Sequence, residues 1–338
     1  MDFLSKIKNK LKIQTLKIED LFYLNELLNS NLPIKSCLML IKNKTNSKII
    51  DDLICKLDKG FLIEEIIDDY LPKDISLYMK NLIKRLSFSE SLKLSISFYN
   101  KNKENNKILF KSIAYPIFLL FISLTALFIF DNYGLDTILN LMNTFNVDTI
   151  AFQYFRVVLK ILIYVFYFAF IAISIIVLIF INPKRITLFY IILCKYFSNS
   201  IIQIYFTEEF VSLFIIALDL GYHTKDALEI LKSLKNKPLI SFLAFHIDDQ
   251  LMAGESLKDA SNQEYYDHVL TSFINIASYS NNFTSILNNY ALLAKEKIQN
   301  KMKLYTSILQ LSSYVVIGIV IIFIYQVLFL PMQAINAF

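Results

Sequence analysis

The sequence predicts an all-α membrane protein with two homologous cytoplasmic bundles, each of about six helices, and three transmembrane helices. Three observations lead to this fold class. Apolar residues recur at intervals of three and four, and the alternation that marks strands is almost absent. Three long stretches carry no charged residue. The segment before the third stretch repeats, in diverged form, the segment before the first.

The composition indicates a membrane part and a soluble part in one chain. Hydrophobic residues make up 55% of the 338 residues and mean hydropathy is +0.48, yet 19% of the residues are charged, which is too many for spans alone. The charge is segregated, with net +6 in residues 1–111 and no charge in 304–338. A total of +5 interleaved with acids argues against a nucleic-acid surface, so no direct nucleic-acid binding is expected.

The two copies of the repeat align with two slightly different shifts. A shift of 190 positions places the helix end at Asn31 on Gly221, and a shift of 194 places Gly60 on Gly254. Glycine readily adopts the left-handed conformation found just after many helices, so Gly60, Gly221 and Gly254 are predicted helix ends. Thr224 is predicted to be the N-cap of the next helix in the second copy.

The repeat and the uncharged stretches together predict seven segments. In chain order these are a basic N-terminal lead (1–17), cytoplasmic helical domain 1 (18–111), a first transmembrane helix (112–130), an external loop (131–160), a second transmembrane helix (161–181), cytoplasmic helical domain 2, which repeats domain 1 (182–303), and a third transmembrane helix with an external C-terminus (304–338). About 20 apolar helical residues cross the ~30 Å hydrocarbon core of a bilayer. Pro116 is expected in the first turns of the first span, where proline is tolerated, and Pro331 is expected to end the third.

Basic residues predict the orientation in the membrane. Lysines precede the first and third uncharged stretches, and Lys184-Arg185 follows the second. Because basic residues stay on the cytoplasmic side, the N-terminus and both helical domains are predicted to be cytoplasmic and the C-terminus external. The expected location is the cytoplasmic membrane, with several passes through the lipid bilayer.

An ordered set of short motifs resembles the GspF/PilC family, the polytopic platform proteins of type II secretion and type IV pilus machines. The matching motifs are Gly221-x-x-x-x-x-Ala227-Leu228, Gly254-x-Ser256-Leu257, Ala114-Tyr115-Pro116 and Leu330-Pro331-Met332. The likeness runs from about residue 18 to 333. The residues that carry the family pattern or the repeat are Gly60, Tyr115, Pro116, Gly221, Ala227, Leu228, Gly254, Leu257 and Pro331. The short lead and modest length resemble the competence-pseudopilus (ComGB-like) branch.

The resemblance implies a scaffold and not an enzyme. Such a platform lies beneath a growing filament, and a cytoplasmic hexameric ATPase acts on it so that pilin-like subunits join the filament base. Homo-oligomerisation and, for the competence branch, a role in DNA uptake are implied in the same way. Some relatives bind a divalent ion in a Gly-Glu-x-x-Gly segment, of which this chain keeps one acid, Glu90, so the metal site is not carried over.

An acidic cluster is a candidate contact for the ATPase. Glu64, Glu65, Asp68 and Asp69 follow one another closely and could meet a basic surface, although a solvated helix face is the simpler interpretation. Asp248-Asp249 is a second pair of this kind.

No pattern of residues predicts catalysis or a cofactor. Phosphate-binding and dinucleotide-binding glycine motifs are absent from the sequence. The three histidines are 22–23 residues apart and the three cysteines are scattered singly, which fits neither a metal site nor a disulfide framework. The alternative function is a membrane subunit of an ATP-driven transporter or permease, but the predicted spans contain no ionisable residue that a substrate path usually needs.

Overall fold

The computed structural model describes residues 15–30, 32–45, 48–144 and 183–336, with scattered positions between 150 and 171. Every regular element formed by these residues is a helix, and none of them lies in a strand. The predicted all-α class is therefore confirmed for this part of the chain. Most of the N-terminal lead at 1–17 and of the second predicted span at 161–181 lies outside the described residues.

The first half of the chain forms several short helices followed by a long one. The helices are α1 (Ile18–Asn29), α2 (Ile34–Thr45), α3 (Lys48–Asp58), α4 (Ile63–Ile66), α5 (Lys73–Leu82) and α6 (Phe88–Ile129). A 3-10 turn over Ile67–Tyr70 continues α4. After α6, a π-helical turn at Phe130–Gly134 leads into α7 (Leu135–Thr144), so the segment predicted as an external loop contains a helix.

The same order of elements returns in the second half. After α8 (Pro183–Tyr196) come α9 (Ile201–Asp219), α10 (Thr224–Lys232), α11 (Pro238–Met252), α12 (Leu257–Ser261), α13 (His268–Ser278) and α14 (Phe283–Asn336). In each series the fourth helix is very short, with 4 and 5 residues, and the last is very long, with 42 and 54 residues. The helices α9–α14 thus correspond in order to α1–α6, as the sequence repeat requires.

Three glycines end helices with the same backbone arrangement. Gly60, Gly221 and Gly254 follow α3, α9 and α11 with φ of +88°, +92° and +90°. After α9, the N–H of Gly221 donates to the carbonyl of Leu218 (2.9 Å) and the N–H of Tyr222 to that of Ala217 (3.3 Å). This Schellman motif requires a left-handed residue, which glycine supplies without a Cβ clash. Since α3 and α11 are corresponding helices, Gly60 and Gly254 occupy the same place in the two halves.

The start of α10 differs from the prediction. Thr224 is the first helical residue, and the N-cap position belongs to His223, whose side chain makes no capping hydrogen bond. His223 has extended backbone angles, φ −69° and ψ 159°, so the helix begins one residue after it. A serine does cap α12, since Ser256 Oγ accepts from the N–H of Asp259 at 3.2 Å.

The chain divides into two compact units. Unit 1 joins the described residues up to Asn105 with Thr187–Lys295, and it therefore contains the helices of both repeats. Unit 2 is made from the described residues of Asn106–Ile186 and Glu296–Phe338. The sequence suggests one domain per repeat, whereas the contacts join both repeats into one body.

Apolar packing accounts for the interior of unit 1. In the first repeat Leu21, Ile50 and Leu53 are fully buried at 0% exposure. In the second repeat Ala227 and Leu228 are equally buried at 0%. Burying each large aliphatic side chain contributes about 1.5–3 kcal/mol, so these faces hold the short helices in place.

The two long helices correct the predicted positions of the prolines. Helix α6 begins at Phe88, so Pro116 lies in a helix interior and not in the first turns. Helix α14 ends at Asn336, so Pro331 does not terminate it. No glycine or proline lies between Phe88 and Tyr115, so nothing breaks the helix where the uncharged stretch begins. Proline keeps a helical φ near −65° and costs one backbone hydrogen bond, which leaves continuation possible.

Two helices among the described residues are long and apolar enough to cross a membrane. Phe283–Ile319, within α14, has only 6% of its apolar window buried. Ile201–Asp219, which is α9, has a mean hydropathy of 1.7, and 67% of its window is buried in the protein. Burial identifies α9 as a core helix of unit 1, whereas α14 fits a membrane protein.

The glycine at the end of α9 gives a direct test of the backbone argument. Gly221→Ala is expected to lower the free energy of unfolding by about 1–2 kcal/mol, because a Cβ strains a residue held at φ +92°. No atom lies within 4 Å of the position that a Cβ would take, so packing does not complicate the result. Gly221→Asn is the matched control, since asparagine tolerates this region better and should cost less. Urea unfolding of the detergent-solubilised chain measures both, and equal costs would contradict the backbone explanation.

Candidate functional site

Two adjacent glutamates are buried on the apolar helix α9. Glu208 and Glu209 are 1% and 2% exposed. A carboxylate removed from water costs several kcal/mol unless partners compensate for the lost hydration. The side chains that surround this pair therefore decide how α9 is placed.

Glu208 has partners on both of its oxygens. Oε1 accepts from Ser212 Oγ at 2.8 Å and lies 3.3 Å from Lys101 Nζ. Oε2 accepts from Asn105 Nδ2 at 3.3 Å. Lys101 and Asn105 belong to α6, so the carboxylate joins the long helix of the first repeat to the first helix of the second.

Glu209 makes a second bridge between the repeats. Its carboxylate accepts from Lys237 Nζ at 2.6 Å, and the same ammonium donates to Asn102 Oδ1 at 2.8 Å. Lys237 directly precedes α11, and Asn102 lies on α6. Lys237 therefore donates hydrogen bonds both to a buried acid of the second repeat, Glu209, and to a polar side chain of the first repeat, Asn102.

A third ion pair joins the two long helices to each other. Lys295 of α14 lies 2.9 Å from Glu104 of α6. The hydrogen bond from Lys295 is the main cause that lowers the pKa of Glu104 below its ordinary value. Burial lowers the pKa of Lys101, which also lies beside the ammonium of Lys295, and Glu208 opposes this shift. The charges are thus paired across three helices.

We call these seven side chains the ionic cluster. They are Lys101, Glu104, Asn105, Glu208, Glu209, Lys237 and Lys295. Asn105 and Lys295 are also the last residues of unit 1 on α6 and α14. The cluster therefore holds both long helices to the core helix α9 at the level where they leave unit 1. Its chemistry is that of an electrostatic clamp, because the charges neutralise one another and no nucleophile is paired with a base.

Weaker polar contacts extend this junction between the repeats. Arg85 pairs with Glu229 on α10, and Asn81 Nδ2 donates to Asn236 Oδ1 at 3.3 Å. The Arg85–Glu229 pair is about half exposed, with 47% and 55% of the side chains accessible, so it contributes under about 1 kcal/mol. The buried glutamates dominate the energetics of the junction.

Most family-pattern residues have structural roles in the described part of the chain. Gly221 and Gly254 end helices, Ala227 and Leu228 lie in the core, and Leu257 starts α12 half-buried. The repeat glycine Gly60 ends α3 in the same way. On α6, the side chain of Tyr115 is 52% exposed. Pro116 and Pro331 are interior residues of α6 and α14.

Glu90 is part of a capping box at the start of α6. Ser87 N–H donates to Glu90 Oε2 at 3.2 Å, and Glu90 N–H donates back to Ser87 Oγ at 3.4 Å. This reciprocal arrangement satisfies backbone N–H groups that a helix start leaves without partners. No group of three or more His, Cys, Asp or Glu that could hold a metal occurs among the described residues. The carboxylate of Glu90 thus has a structural role at the helix start.

The predicted acidic cluster is divided by the structure. Glu64, Glu65 and Asp69 are exposed. Asp68 is half-buried, where it accepts from Ser76 Oγ at 2.5 Å and lies 2.8 Å from Lys80 Nζ. Three of the four acids therefore form a free acidic face, and the fourth anchors the turn before α5.

The second acidic pair and the histidines are also placed by packing. Asp248 is buried beside Lys232, whereas Asp249 is exposed. His246 is half-buried among aromatic rings, with Tyr265 at a centroid distance of 4.9 Å, and burial lowers its pKa. His223 and His268 are exposed and lie at the starts of α10 and α13.

Sequence reasoning missed the ionic cluster. Two adjacent acids inside a helix with a mean hydropathy of 1.7 were the available signal. The repeat alignment places Glu19 on Glu209, but Glu19 is exposed and Glu209 is 2% exposed. Equivalent positions thus have different surroundings, because α9 is enclosed by the rest of unit 1 and this face of α1 is not.

Residues 210–331 match the family model described as type II secretion system (T2SS), protein F. This match supports membership of the GspF/PilC family. It runs from α9 through most of α14, so the protein F region contains Lys237 and Lys295, whereas the three carboxylates of the cluster, Glu104, Glu208 and Glu209, lie before it. No curated protein sequence matches the chain.

Removal of the central acid tests the clamp. Glu208→Ala is expected to lower the free energy of unfolding by about 3–5 kcal/mol, since Lys101 would remain buried without its counter-charge. The matched control, Glu229→Ala, removes an exposed ion pair across the same junction and should cost under about 1 kcal/mol. Chemical denaturation of both variants measures the difference. A loss at Glu208 no larger than the control would show that the cluster does not hold the repeats together.

The ion pair at the end of the cluster should respond to acid. The pKa of Glu104 is lowered in the folded chain, so the pair's stabilisation is complete above the ordinary value of 4.5 and is lost as pH falls through the lowered value. In the parent chain, the free energy of unfolding should fall between neutral pH and pH values below 4.5. In Glu104→Gln this fall is expected to be smaller. In a Lys295→Met background the same change should have a much smaller effect, because the main partner of Glu104 is absent and only the weaker attraction of Lys101 remains. Urea titrations at each pH test this, and an unchanged effect in that background would contradict the assignment.

Proposed function

We propose that the chain is a membrane platform of a type IV pilus-like or type II secretion-like machine, with a scaffolding and not a catalytic role. The observation that carries this proposal is the protein F match over residues 210–331, which covers most of the second repeat and most of the third predicted transmembrane segment. The GspF/PilC resemblance across both repeats supports extending the assignment to the first half. In this role the protein couples a cytoplasmic hexameric ATPase to the assembly of pilin-like subunits.

The two long helices provide a physical route for this coupling. Each of α6 and α14 begins in unit 1 and continues into a predicted span, over 42 and 54 residues. At 1.5 Å per residue they are about 63 and 81 Å long. A displacement of unit 1 would therefore act on the membrane part through continuous helices and not through flexible linkers.

The ionic cluster would make the two helices respond together. It joins α6 and α14 to α9 where both helices leave unit 1. Breaking a buried ion pair costs about 3–5 kcal/mol, so the junction resists sliding of one repeat along the other. Force applied to either repeat would then be shared by both helices.

The exposed acidic face is the proposed ATPase contact. It consists of Glu64, Glu65 and Asp69, and it lies beside Phe61 and Leu62, which are 52% and 62% exposed. Apolar side chains next to exposed negative charge are suited to a partner that is basic at the rim and apolar at the centre. Asp68 is left out of this surface because Ser76 and Lys80 already bind its carboxylate.

The membrane part offers an apolar surface for a pilin-like helix. On α6, Phe118, Phe121 and Ile122 are 62%, 67% and 45% exposed. No charged residue lies in 112–130, so a transmembrane pilin helix would meet apolar side chains there. The competence pseudopilus is the machine we favour, on the resemblance to that branch, and self-association would multiply these surfaces.

Affinity purification tests the proposed function. The tagged full-length chain is purified in mild detergent from its own cells, and the proteins that co-purify are identified by mass spectrometry. A secretion-type hexameric ATPase together with a pilin-like protein is the expected result, and the pilin indicates which machine is served. Recovery of a nucleotide-binding transporter subunit without these two proteins would favour the permease alternative and overturn the proposal.

Charge reversal tests the ATPase contact. The variant Glu64→Lys, Glu65→Lys, Asp69→Lys is expected to reduce ATPase recovery by at least about tenfold, because like charges would face the basic surface. The matched control reverses three exposed acids of the second repeat, which are Asp226, Glu255 and Glu264. Quantitative immunoblots of the co-purified ATPase give the ratio between the two variants. Equal recovery from both would exclude this face as the contact.

A further inference from the structure

One face of α8 carries apolar side chains that the rest of the protein leaves exposed. Leu188, Ile192 and Tyr196 are 63%, 58% and 71% exposed, and Phe197 just beyond the helix is 68% exposed. Residues four apart lie on the same face of a helix, so the first three form a continuous stripe along most of α8. We call these four residues the α8 stripe.

The opposite face of α8 is bound to unit 1. Tyr190 and Cys194 are 1% and 2% exposed. The hydroxyl of Tyr190 donates to the carbonyl of Tyr265 at 2.7 Å, and its ring meets that of Phe206 edge-on at 5.7 Å. Side chains two residues apart point about 200° away from each other around a helix axis. Tyr190 and Cys194 each lie two residues from members of the stripe, so the stripe lies on the side away from this contact.

The charged residues carried by α8 and the residues just after it all have one sign. Lys184, Arg185 and Lys195 lie within residues 183–200, and this segment contains no Asp or Glu. Arg185 and Lys195 are exposed. Basic residues beside an apolar stripe with an aromatic end are typical of helices that lie on anionic membranes.

The place of α8 in the chain brings it to the membrane surface. The helix begins at Pro183, two residues after the second predicted span. Proline disfavours a helical conformation in the residue before it, so α8 need not continue the axis of the predicted span. If α8 stood perpendicular to the membrane, its 14 residues would carry Tyr196 about 20 Å away and leave the end of the stripe in water. A helix parallel to the surface buries the whole stripe.

We propose that α8 lies in the cytoplasmic surface of the membrane, with its stripe at the acyl-chain boundary and its basic residues on anionic lipid head groups. Unit 1 is then held against the bilayer through Tyr190 and Cys194, in a fixed orientation. This role is separate from the platform function, since it depends on the predicted span at 161–181 and on the geometry of α8, and not on an ATPase or a pilin.

Fluorescent labels on the stripe test the proposal in the full-length protein. One cysteine is introduced on the stripe in each variant, Leu188→Cys or Ile192→Cys, and is labelled with an environment-sensitive NBD dye. The labelled protein is reconstituted in vesicles of phosphatidylglycerol and phosphatidylcholine. The background needs Cys55→Ser because Cys55 is exposed. Burial raises the pKa of the Cys194 thiol to about 11, and burial also raises that of Cys37, so both react poorly with the label. The control label is Lys225→Cys on the exposed face of α10.

Two quenchers separate lipid, water and protein around the label. In the expected result, the stripe labels emit at shorter wavelength than the control and are quenched by nitroxide lipids but little by acrylamide in the water. Acrylamide quenching equal to that of the control would show a water-exposed helix and overturn the proposal. A shift to shorter wavelength without quenching by nitroxide lipids would show that protein, such as a second copy, covers the stripe, and would also overturn it.

The basic residues are tested in the same vesicles. Replacement of Arg185 and Lys195 by glutamine is expected to reduce quenching of the stripe labels by nitroxide lipids, because the attraction to anionic head groups is lost. Asp226→Asn with Glu229→Gln, two exposed residues of α10, is the control and should leave the quenching unchanged. Equal quenching in the glutamine variant and the parent would overturn the assignment of these residues to lipid head groups.

Discussion

The arrangement of unit 1 depends on two carboxylates that the fold removes from water. Glu208 and Glu209 lie inside α9, at 1% and 2% exposure, where an unpartnered charge would cost several kcal/mol. Their counter-charges come from Lys101 on α6 and from Lys237 before α11. Sliding one repeat along the other would break these buried ion pairs, so these contacts oppose a change of register between the repeats.

The position of this junction relates the fold to the proposed function. In the proposed function, unit 1 is displaced and α6 and α14 carry that displacement onward. Ion pairs that join the two helices are most effective at the level where the helices leave unit 1. The ionic cluster lies at that level on both α6 and α14. The α8 stripe would add a second constraint by holding unit 1 against the bilayer, so that displacement of the unit acts along the long helices and is not dissipated by tilting.

The two repeats share a helix plan but differ in what surrounds each helix. Corresponding glycines end α3 and α11 with nearly equal φ, because the chain turn there is local. By contrast, the first helix has 12 residues in one copy and 19 in the other, and Glu19 is exposed where Glu209 is buried. Duplication therefore preserved the local turns, while the packing of one copy against the other made α9 the core helix.

The sequence by itself determined the all-α class, the order of the helices and the glycine turns at Gly60, Gly221 and Gly254. These features depend on residues close together in the chain, through apolar spacing and backbone conformation. Only the tertiary structure decided that both repeats form one unit, that Pro116 lies inside α6, and that Glu208 is buried beside Lys101. The partners of Glu208 on α6, Lys101 and Asn105, are more than a hundred residues away in the chain, and no local pattern records which distant side chains a fold brings together.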